Sequence, residues 1–284
     1  MSAKPHVAIV GAGNLAGALA LPLSRAGYRI DLIVSRGPGA PSQRARRLAR
    51  EVEASATVLA EARIRAEIVW FCVPDAAIAG AARALSKAAH WKGKVALHSS
   101  GALTSDELGV LRERGASVAS VHPLMTFVKG SRPPLAGVPF AIEGDQNAAR
   151  AARSIVRDLR GQPFTIRRRQ KEMYHAWGMF ASPLLTALLA ATENVAVAAG
   201  VSRNAARKRM LPILMQTLSN YARLGASASF SGPIPRGDIE TVKKHLKVLS
   251  KIEAEQNVYI ALVRAALRNL PAKRRADLER ILKA

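Results

Sequence analysis

The sequence predicts an α/β protein in which a doubly wound, mainly parallel sheet is followed by an all-helical domain. Three observations support this prediction. Strand-like and helix-like segments alternate from Val7 to Ile166, which is typical of a parallel sheet with helices on both faces. A glycine-rich turn joins the first strand to the first helix. From Lys171 onward only helical segments follow, so we predict domains 1–166 and 167–284.

Apolar runs in the first half predict its strands at 7–10, 29–34, 57–58, 67–73, 95–98, 117–121, 138–143 and 163–166. Helices are expected between them, and Pro22 should kink the first because a proline inside a helix removes a hydrogen bond. In the second half we expect helices at 171–200, 204–224, 238–249, 251–269 and 273–283. The centre of the first of these, 176–191, holds sixteen residues without charge. It is short for a membrane span, and we expect it to be buried between subunits or under the sheet domain.

The stretch Gly11-x-Gly13-x-x-Ala16 directly follows the first strand and opens the first helix. In a dinucleotide site Gly11 makes the tight turn, Gly13 lets the backbone approach a pyrophosphate, and Ala16 lets the helix pack close to the strand. The free N–H groups at the start of the helix, from Asn14 and Leu15 to Ala16, face the phosphates. The alternative is a strand–turn–helix with a structural role only.

The end of the second strand selects the nucleotide in such sites, since an acid there binds the ribose hydroxyl and an arginine favours a 2′-phosphate. The residues at this end are Ser35 and Arg36, with Arg44 and Arg46 close behind. Asp31 lies in the middle of the strand, several residues before its end. This pattern predicts NADP(H) as the cofactor. The alternative for Arg36 is a solvated turn residue.

Composition and charge limit the classes of function. The chain is 49% hydrophobic and 22% charged, as expected for a folded soluble protein, and its net charge is +23. Its basic residues are spread along the chain without a basic tail, so we expect a generally basic surface and no nucleic-acid partner. The single cysteine, Cys72, fits a reducing compartment, and residues 1–6 lack an apolar leader. We therefore expect a cytoplasmic protein without a membrane partner.

Four further motifs carry a resemblance: Phe71-Cys-Val-Pro-Asp75, His98-Ser-Ser-Gly101, Val121-His-Pro-Leu-Met-Thr-Phe127 and Gly232-Pro-Ile-Pro-Arg-Gly-Asp238. With them, nearly the whole chain resembles bacterial Rossmann-like proteins whose helical half is a domain of unknown function. More distantly it is similar to pyrroline-5-carboxylate reductase, 6-phosphogluconate dehydrogenase-like enzymes and deazaflavin-dependent NADP reductases. The resemblance implies an NADP-binding Rossmann domain, a helical domain like the C-terminal domain of 6-phosphogluconate dehydrogenase, a homodimer and an oxidoreductase. Ser182-Pro183 departs from the Ser-Asn expected in such relatives.

Ligands of doubly wound sheets bind outside the carboxyl ends of the strands, where several polar residues of this sequence fall. We expect Val73, Pro74 and Ser99 to contact the nucleotide and Ser100 to bind the substrate. Pro74 could instead only terminate its strand, and both serines could only cap the turn that follows. His122 is the first candidate for the general acid, because histidine titrates near neutral pH. Its alternative role is to cap the end of a strand.

The start of the second half adds two candidates, Lys171 and His175, which lie four residues apart on one helix face. In the distantly similar hydroxyacid dehydrogenases a lysine on the corresponding helix is the catalytic acid or base, which makes Lys171 a catalytic candidate beside His175. The alternative for both is a surface residue on the helix face. Arg236 follows a proline-rich loop, and its planar guanidinium suits a substrate carboxylate or phosphate. Asp238 is expected to cap the next helix. Six dispersed histidines and one cysteine do not predict a metal site.

Together these residues predict an NADP-dependent oxidoreductase that transfers hydride to or from a small carbonyl, imine or alcohol in a cleft between two domains. One alternative is an NADP-binding sensor or regulatory protein without turnover. A nucleic-acid-binding protein, suggested by the charge alone, is the second. The sequence identifies neither the substrate nor the direction of the reaction.

Overall fold

The computed structural model describes residues 4–37 and 39–283. The chain forms two compact units, which meet in sequence between Met179 and Phe180. The predicted domain boundary after residue 166 stays a prediction. Each unit is described separately below.

The first unit is built on an eight-stranded sheet. Its strands are β1 (Val7–Val10), β2 (Ile30–Ser35), β3 (Ser55–Val58), β4 (Ile68–Phe71), β5 (Val95–His98), β6 (Ser117–Pro123), β7 (Pro139–Gly144) and β8 (Gln162–Thr165). Their order is β3-β2-β1-β4-β5-β6-β7-β8, with β6 and β7 antiparallel and the other neighbours parallel. The predicted doubly wound, mainly parallel sheet is therefore confirmed. The strand order reverses between β1 and β4, which is the point where such sheets bind ligands.

Helices cover both faces of this sheet. They are α1 (Asn14–Arg25), α2 (Gln43–Glu51), α3 (Ile78–Leu85), α4 (Gly109–Arg112) and α5 (Gln146–Asp158), and a further helix, α6 (Lys171–Ala181), follows β8. Alternate residues of each strand point to opposite faces. Ile9 accordingly packs in the core cluster that includes residues of α1, α2 and α5, and Val10 packs in the cluster that includes residues of α3 and α4. The central strands thus bury both faces and hold their carboxyl ends in fixed positions.

The second unit is helical, as predicted. It contains α7 (Pro183–Ala198), α8 (Arg203–Ser229), α9 (Pro233–Arg236), α10 (Ile239–Leu249), α11 (Glu253–Asn269) and α12 (Arg275–Ile281). Gly225 interrupts α8 with a φ of +75°. The buried core of this unit is small and joins α10, α11 and α12 through Val242, Val263 and Leu278. The chain therefore leaves much apolar helix surface uncovered.

The single helix predicted over 171–200 is wrong, because α6 ends at Ala181 and α7 begins at Pro183. Ser182 between them has φ −134° and ψ −74°. A residue before proline is disfavoured in the helical conformation, whereas proline suits the first position of a helix. Ser182-Pro183 therefore ends one helix and starts the next.

The segment Arg168–Ala198, taken as one stretch, is long and apolar enough to cross a membrane by length and composition alone. The side chain of Lys171 is buried in the first unit, with 1% of the residue exposed, and Ser182 breaks the helix. The large side chains Met173, Trp177 and Phe180 are exposed.

Candidate functional site

The glycine turn after β1 is tightly constrained. Gly11 has a φ of +113°, and a Cβ added there would lie 2.3 Å from the carbonyl oxygen of Cys72. Only glycine fits this approach between the ends of β1 and β4. Gly13 is the N-cap of α1 and offers no capping side chain, and the first turn of α1 has no acidic residue. The N–H groups around Asn14, Leu15 and Ala16 are thus available to an anion.

The residues at the end of β2 have different surroundings. Ser35 is buried, and its hydroxyl accepts a hydrogen bond from the Ser42 N–H at 3.2 Å, which holds the connection to α2. Arg36 is exposed. Arg44 donates from Nη2 to Oδ1 of Asn14 at 2.8 Å and lines the cavity beside the glycine turn. Among the basic residues after β2, Arg44 is therefore held at the glycine turn, and the cofactor roles of Ser35 and Arg36 stay predictions.

The carboxyl ends of β4, β5 and β6 lie side by side, because these strands are parallel neighbours. They bring the predicted residues Val73, Pro74, Ser99 and Ser100 to the same edge of the sheet as His122. Val73 also borders the glycine turn, since its Cγ1 lies 3.2 Å from a Cβ built on Gly11. The first unit therefore places the glycine turn and the polar strand ends along one edge.

The hydroxyl groups of the two serines are occupied within the protein. Ser99 Oγ accepts a hydrogen bond from the indole of Trp70 at 2.8 Å. Ser100 Oγ donates to Asp75 at 2.7 Å and accepts from the N–H groups of Ala102 and Leu103. Ser100 is only 3% exposed. This geometry is that of the turn-capping alternative, and the ligand-binding roles of both serines stay predictions.

His98 at the end of β5 holds the same turn. Its Nδ1 accepts from the Ser100 N–H at 3.1 Å, so its Nε2–H donates to the carbonyl of Thr104 at 2.9 Å. Burial lowers the pKa of His98 to about 4. A neutral, fully buried histidine with both nitrogens paired serves to fix the backbone of residues 99–104.

His122 is paired with a residue that the sequence analysis did not single out. Its Nδ1 lies 2.7 Å from the phenol oxygen of Tyr174, which is buried on α6. Burial, with the nearby charge of Lys171, lowers the pKa of His122 to about 4, and burial raises the pKa of Tyr174 to about 12. The expectation that His122 titrates near neutral pH is therefore wrong. Tyr174 lies three residues after Lys171, a spacing that places both on one helix face and could have indicated it.

Lys171 precedes Tyr174 by three residues on α6, and its side chain is buried. Its Nζ donates to the carbonyl oxygen of Ser100 at 2.8 Å and to the hydroxyl of Ser120. Ser120 in turn donates to the same carbonyl at 3.1 Å. Burial lowers the pKa of Lys171 to about 8, partly opposed by the carboxylates of Glu143 and Asp75. The ammonium group thus joins the turn after β5 to β6, and its predicted catalytic role is untested.

His175 completes the group on α6. It is half-buried, and its ring centroid lies 6.5 Å from that of His122. Gly101 faces both rings: a Cβ there would lie 2.8 Å from Cδ2 of His175 and 2.9 Å from Nε2 of His122. The bare backbone at Gly101 is what allows the two imidazoles to approach the end of β5. We refer to His122, Tyr174, His175 and Gly101 as the strand-end cluster.

Arg236 belongs to the second unit. It is exposed at the end of α9 and is followed by Gly237, which has a φ of +69°. Asp238 accepts hydrogen bonds from the N–H and the hydroxyl of Thr241 at 3.1 and 2.7 Å. The expected N-cap of α10 is thus confirmed, and the substrate-binding role of Arg236 stays a prediction.

Metal-ligating side chains do not gather in the described part of the chain, residues 4–37 and 39–283: it contains no group of three His, Cys, Asp or Glu able to hold a metal ion. Cys72 is buried after β4, and burial raises the pKa of its thiol. A thiol held in its protonated form is a poor nucleophile.

Two family models match the chain. Residues 1–123 match a Rossmann-like domain, and residues 138–266 match a domain of unknown function, DUF2520. The search of curated proteins finds no match.

Solved structures share the fold over nearly the whole chain. A protein from Bacteroides fragilis with the provisional name NADP oxidoreductase is 24% identical, with a TM-score of 0.77 over 92% of this chain and 97% of that one. An imine reductase from Myxococcus stipitatus in complex with NADP+ is 14% identical, with a TM-score of 0.64 over 93% and 94%. A pyrroline-5-carboxylate reductase from Coxiella burnetii is 14% identical, with a TM-score of 0.60 over 92% and 97%. At these identities the likeness establishes the fold.

Proposed function

We propose that the protein is an NADP(H)-dependent oxidoreductase that transfers hydride to or from a small carbonyl, imine or alcohol. One observation carries the proposal: the glycine turn after β1 and the strand-end cluster after β5 and β6 lie along the same edge of one sheet. A dinucleotide whose pyrophosphate lies at the turn extends along that edge in doubly wound folds. Its reactive ring then comes to the cluster.

The choice of NADP(H) has two supports. The imine reductase from Myxococcus stipitatus, which has the same fold, is in complex with NADP+. In this chain the guanidinium of Arg44 lies at the glycine turn and is free of any carboxylate within the described contacts. Arg44 also follows the second strand, and an arginine in that region favours a 2′-phosphate over a bare ribose hydroxyl.

The strand-end cluster contains a donor for the proton that hydride transfer requires. Hydride addition to a carbonyl or imine carbon leaves a charge on the oxygen or nitrogen, which must receive a proton. At neutral pH both His122 and Tyr174 are uncharged. When the phenol donates to Nδ1, Nε2 of His122 carries a proton and points the donor at the developing charge. As Nε2 gives this proton to the oxygen or nitrogen, Nδ1 takes the phenol proton, and Tyr174 is left as a phenolate that regains a proton from solvent after the product leaves. His175 supplies a second imidazole beside it, and Lys171 positions the turn on which Gly101 lies.

The protein is proposed to act as a homodimer in the cytoplasm. On α8 the large apolar side chains are exposed: Leu211, Ile213, Met215, Leu218, Tyr221 and Leu224. Exposing so much apolar surface to water is unfavourable for a monomer, whereas contact with a second copy of the chain buries it. Sedimentation equilibrium tests this, with a dimer expected and a monomer at micromolar concentration contradicting it.

The test of function is NADPH binding followed by NADPH oxidation with a panel of small ketones, aldehydes and cyclic imines. We expect wild-type protein to bind NADPH and oxidise it with at least one class of compound. His122→Asn and His175→Asn should retain binding and lose turnover. Binding without turnover across the panel favours the sensor alternative. Absence of NADPH binding, with tight binding of RNA or duplex DNA at physiological salt, overturns the proposal.

A further inference from the structure

The connection between β6 and β7 packs onto the glycine turn. It runs from residue 124 to residue 138. The amide of Asn14, at the start of α1, donates to the carbonyl oxygen of Phe127 at 3.0 Å. Further along, the guanidinium of Arg132 lies beside α1, since a Cβ built on Gly17 would be 3.5 Å from its Nε. Two points of contact therefore hold this connection next to the proposed pyrophosphate site.

Together these elements enclose a cavity of about 350 Å³ beside the glycine turn. Three elements line it, and each contributes at least one polar group. They are the turn with α1 (Ala12, Gly13, Asn14, Gly17), α2 (Arg44, Arg47, Leu48) and the β6–β7 connection (Gly130, Ser131, Arg132). Gly13, the N-cap of α1, and Asn14, its first residue, both lie on the wall of the cavity. The cavity thus extends beyond the glycine turn to α2 and the β6–β7 connection.

The charge of this cavity is strongly positive. Three guanidinium groups line it, those of Arg44, Arg47 and Arg132. One carboxylate, Glu51 on α2, accepts from Arg132 at 2.6 Å and from Arg47 at 3.0 Å. The hydrogen bond from Arg132 is the main reason that the pKa of Glu51 lies below its usual value. Glu51 balances one of the three guanidinium charges, so two positive charges remain at a cavity that has room for a phosphate-bearing group.

The ion pair between Arg132 and Glu51 contributes little to the stability of the fold. Their side chains are 43% and 26% exposed, and exposed ion pairs contribute little to folding. Positioning is the better account, because Glu51 fixes the planar guanidinium of Arg132 against α1. A guanidinium that is already held in place loses less conformational entropy when it binds a phosphate through two hydrogen bonds.

On the proposed function as a premise, we propose that Arg132 of the β6–β7 connection binds a phosphate group of the dinucleotide together with Arg44. The shared chemistry is a phosphate oxygen facing two guanidinium groups. The group is either the 2′-phosphate of the adenosine ribose or the pyrophosphate at the glycine turn. Arg132 comes from an element far from β2 and α2, so it extends recognition beyond the residues that follow the second strand.

The experiment compares NADPH and NADH affinity by calorimetry for wild type, Arg132→Gln and Arg132→Lys at physiological salt. We expect Arg132→Gln to weaken NADPH binding between about ten- and a hundredfold, the range of a charge-assisted hydrogen bond. The NADPH affinity of Arg132→Lys should lie between those of wild type and Arg132→Gln, because lysine keeps the positive charge and lacks the planar guanidinium. Arg29→Gln is the matched control. Arg29 forms an ion pair with Asp31 on the same unit at 3.3 Å, and its loss should change affinity less than twofold.

The two nucleotides separate the sources of the phosphate. If Arg132 binds the 2′-phosphate, Arg132→Gln weakens NADPH and leaves NADH unchanged; if it binds the pyrophosphate, both weaken alike. Either result supports the inference. Wild-type affinity in Arg132→Gln overturns it and leaves the proposed function intact. Failure of the wild type to bind either nucleotide overturns both.

Discussion

The phenol oxygen of Tyr174 lies 2.7 Å from Nδ1 of His122, although 52 residues separate them in sequence. The rings meet edge to face, with centroids 5.5 Å apart. A second pair of the same kind lies in the other unit, where Nδ1 of His245 is 3.1 Å from the phenol of Tyr259 and the centroids are 5.8 Å apart. The chain therefore contains its own control for the effect of such a pair.

Tyr174→Phe should lower NADPH turnover about tenfold to a hundredfold and leave NADPH affinity unchanged. The variant keeps the ring that packs against Phe164 and Trp177, and loses only the hydrogen bond that directs the His122 proton to Nε2. The measurement is kcat with the best substrate of the panel. Tyr259→Phe, which loses the matching bond in the second unit, should keep wild-type kcat. Equal effects of the two variants would contradict a role for Tyr174 in orienting His122.

Acid should destabilise the first unit between about pH 6.5 and pH 4. The pKa values of His98 and His122 lie near 4 in the folded protein, against the usual 6.5 of a histidine in an unfolded chain. The unfolded chain therefore binds more protons in this window, so the free energy of unfolding falls as the pH falls. The full effect is about 3 kcal/mol for each histidine.

Urea unfolding at pH 7 and pH 5 measures this effect, followed by fluorescence of the buried Trp70 and Trp91 in the first unit. His122→Gln should reduce the loss of stability at pH 5, because one of the two groups no longer titrates. The same difference between the two pH values in variant and wild type would show that folding does not lower the pKa of His122.

Lys171→Met should raise the pKa of His122. The charge of Lys171 is one of the causes that lower it, after burial, and methionine fills a similar volume without charge. The His122 pKa is measured by NMR of its ring protons. Lys94→Met is the matched control, since Lys94 also donates to two backbone carbonyls, at 2.8 and 2.7 Å. It precedes β5 at the opposite end of the strand, so its loss should leave the His122 pKa unchanged.

The fold could be predicted from the sequence because it depends on local patterns. The apolar run Val7–Val10, the glycine turn and the regular alternation of segments each act over a few residues, and together they specify a parallel sheet. Gly11 shows this most clearly: the small residue expected from the motif is the one whose Cβ would meet the carbonyl of Cys72. The sequence patterns do not predict the break at Ser182, although Pro183 carries the signal for it, and they indicate a loop for the segment that forms the short helix Pro233–Arg236.

The candidate site was predicted less completely, because its properties depend on contacts between distant residues. The strand-end rule placed His122 at the correct edge. It did not reveal that Tyr174 pairs with it, or that burial removes its titration near neutral pH. Lys171 was recognised by its position on a helix, while its bonds to Ser100 and Ser120 follow from the packing of α6 on the sheet. Arg132 lies beyond the Val121–Phe127 motif, in a part of the connection where the sequence shows no pattern that indicates a site.

Gly101→Ala tests whether the approach of the two imidazoles to the end of β5 matters. The added methyl group would lie 2.8 Å from the His175 ring and 2.9 Å from Nε2 of His122, so one ring or both must move. We expect turnover to fall about a hundredfold, in line with the loss of a positioned proton donor, and NADPH affinity to stay within a few-fold. Gly80→Ala is the control, because Gly80 lies in α3 and a Cβ there meets nothing within 4 Å. Alanine also favours the helix, so this variant should be at least as stable as wild type. Wild-type turnover in Gly101→Ala would mean that the chemistry does not take place at His122 and His175.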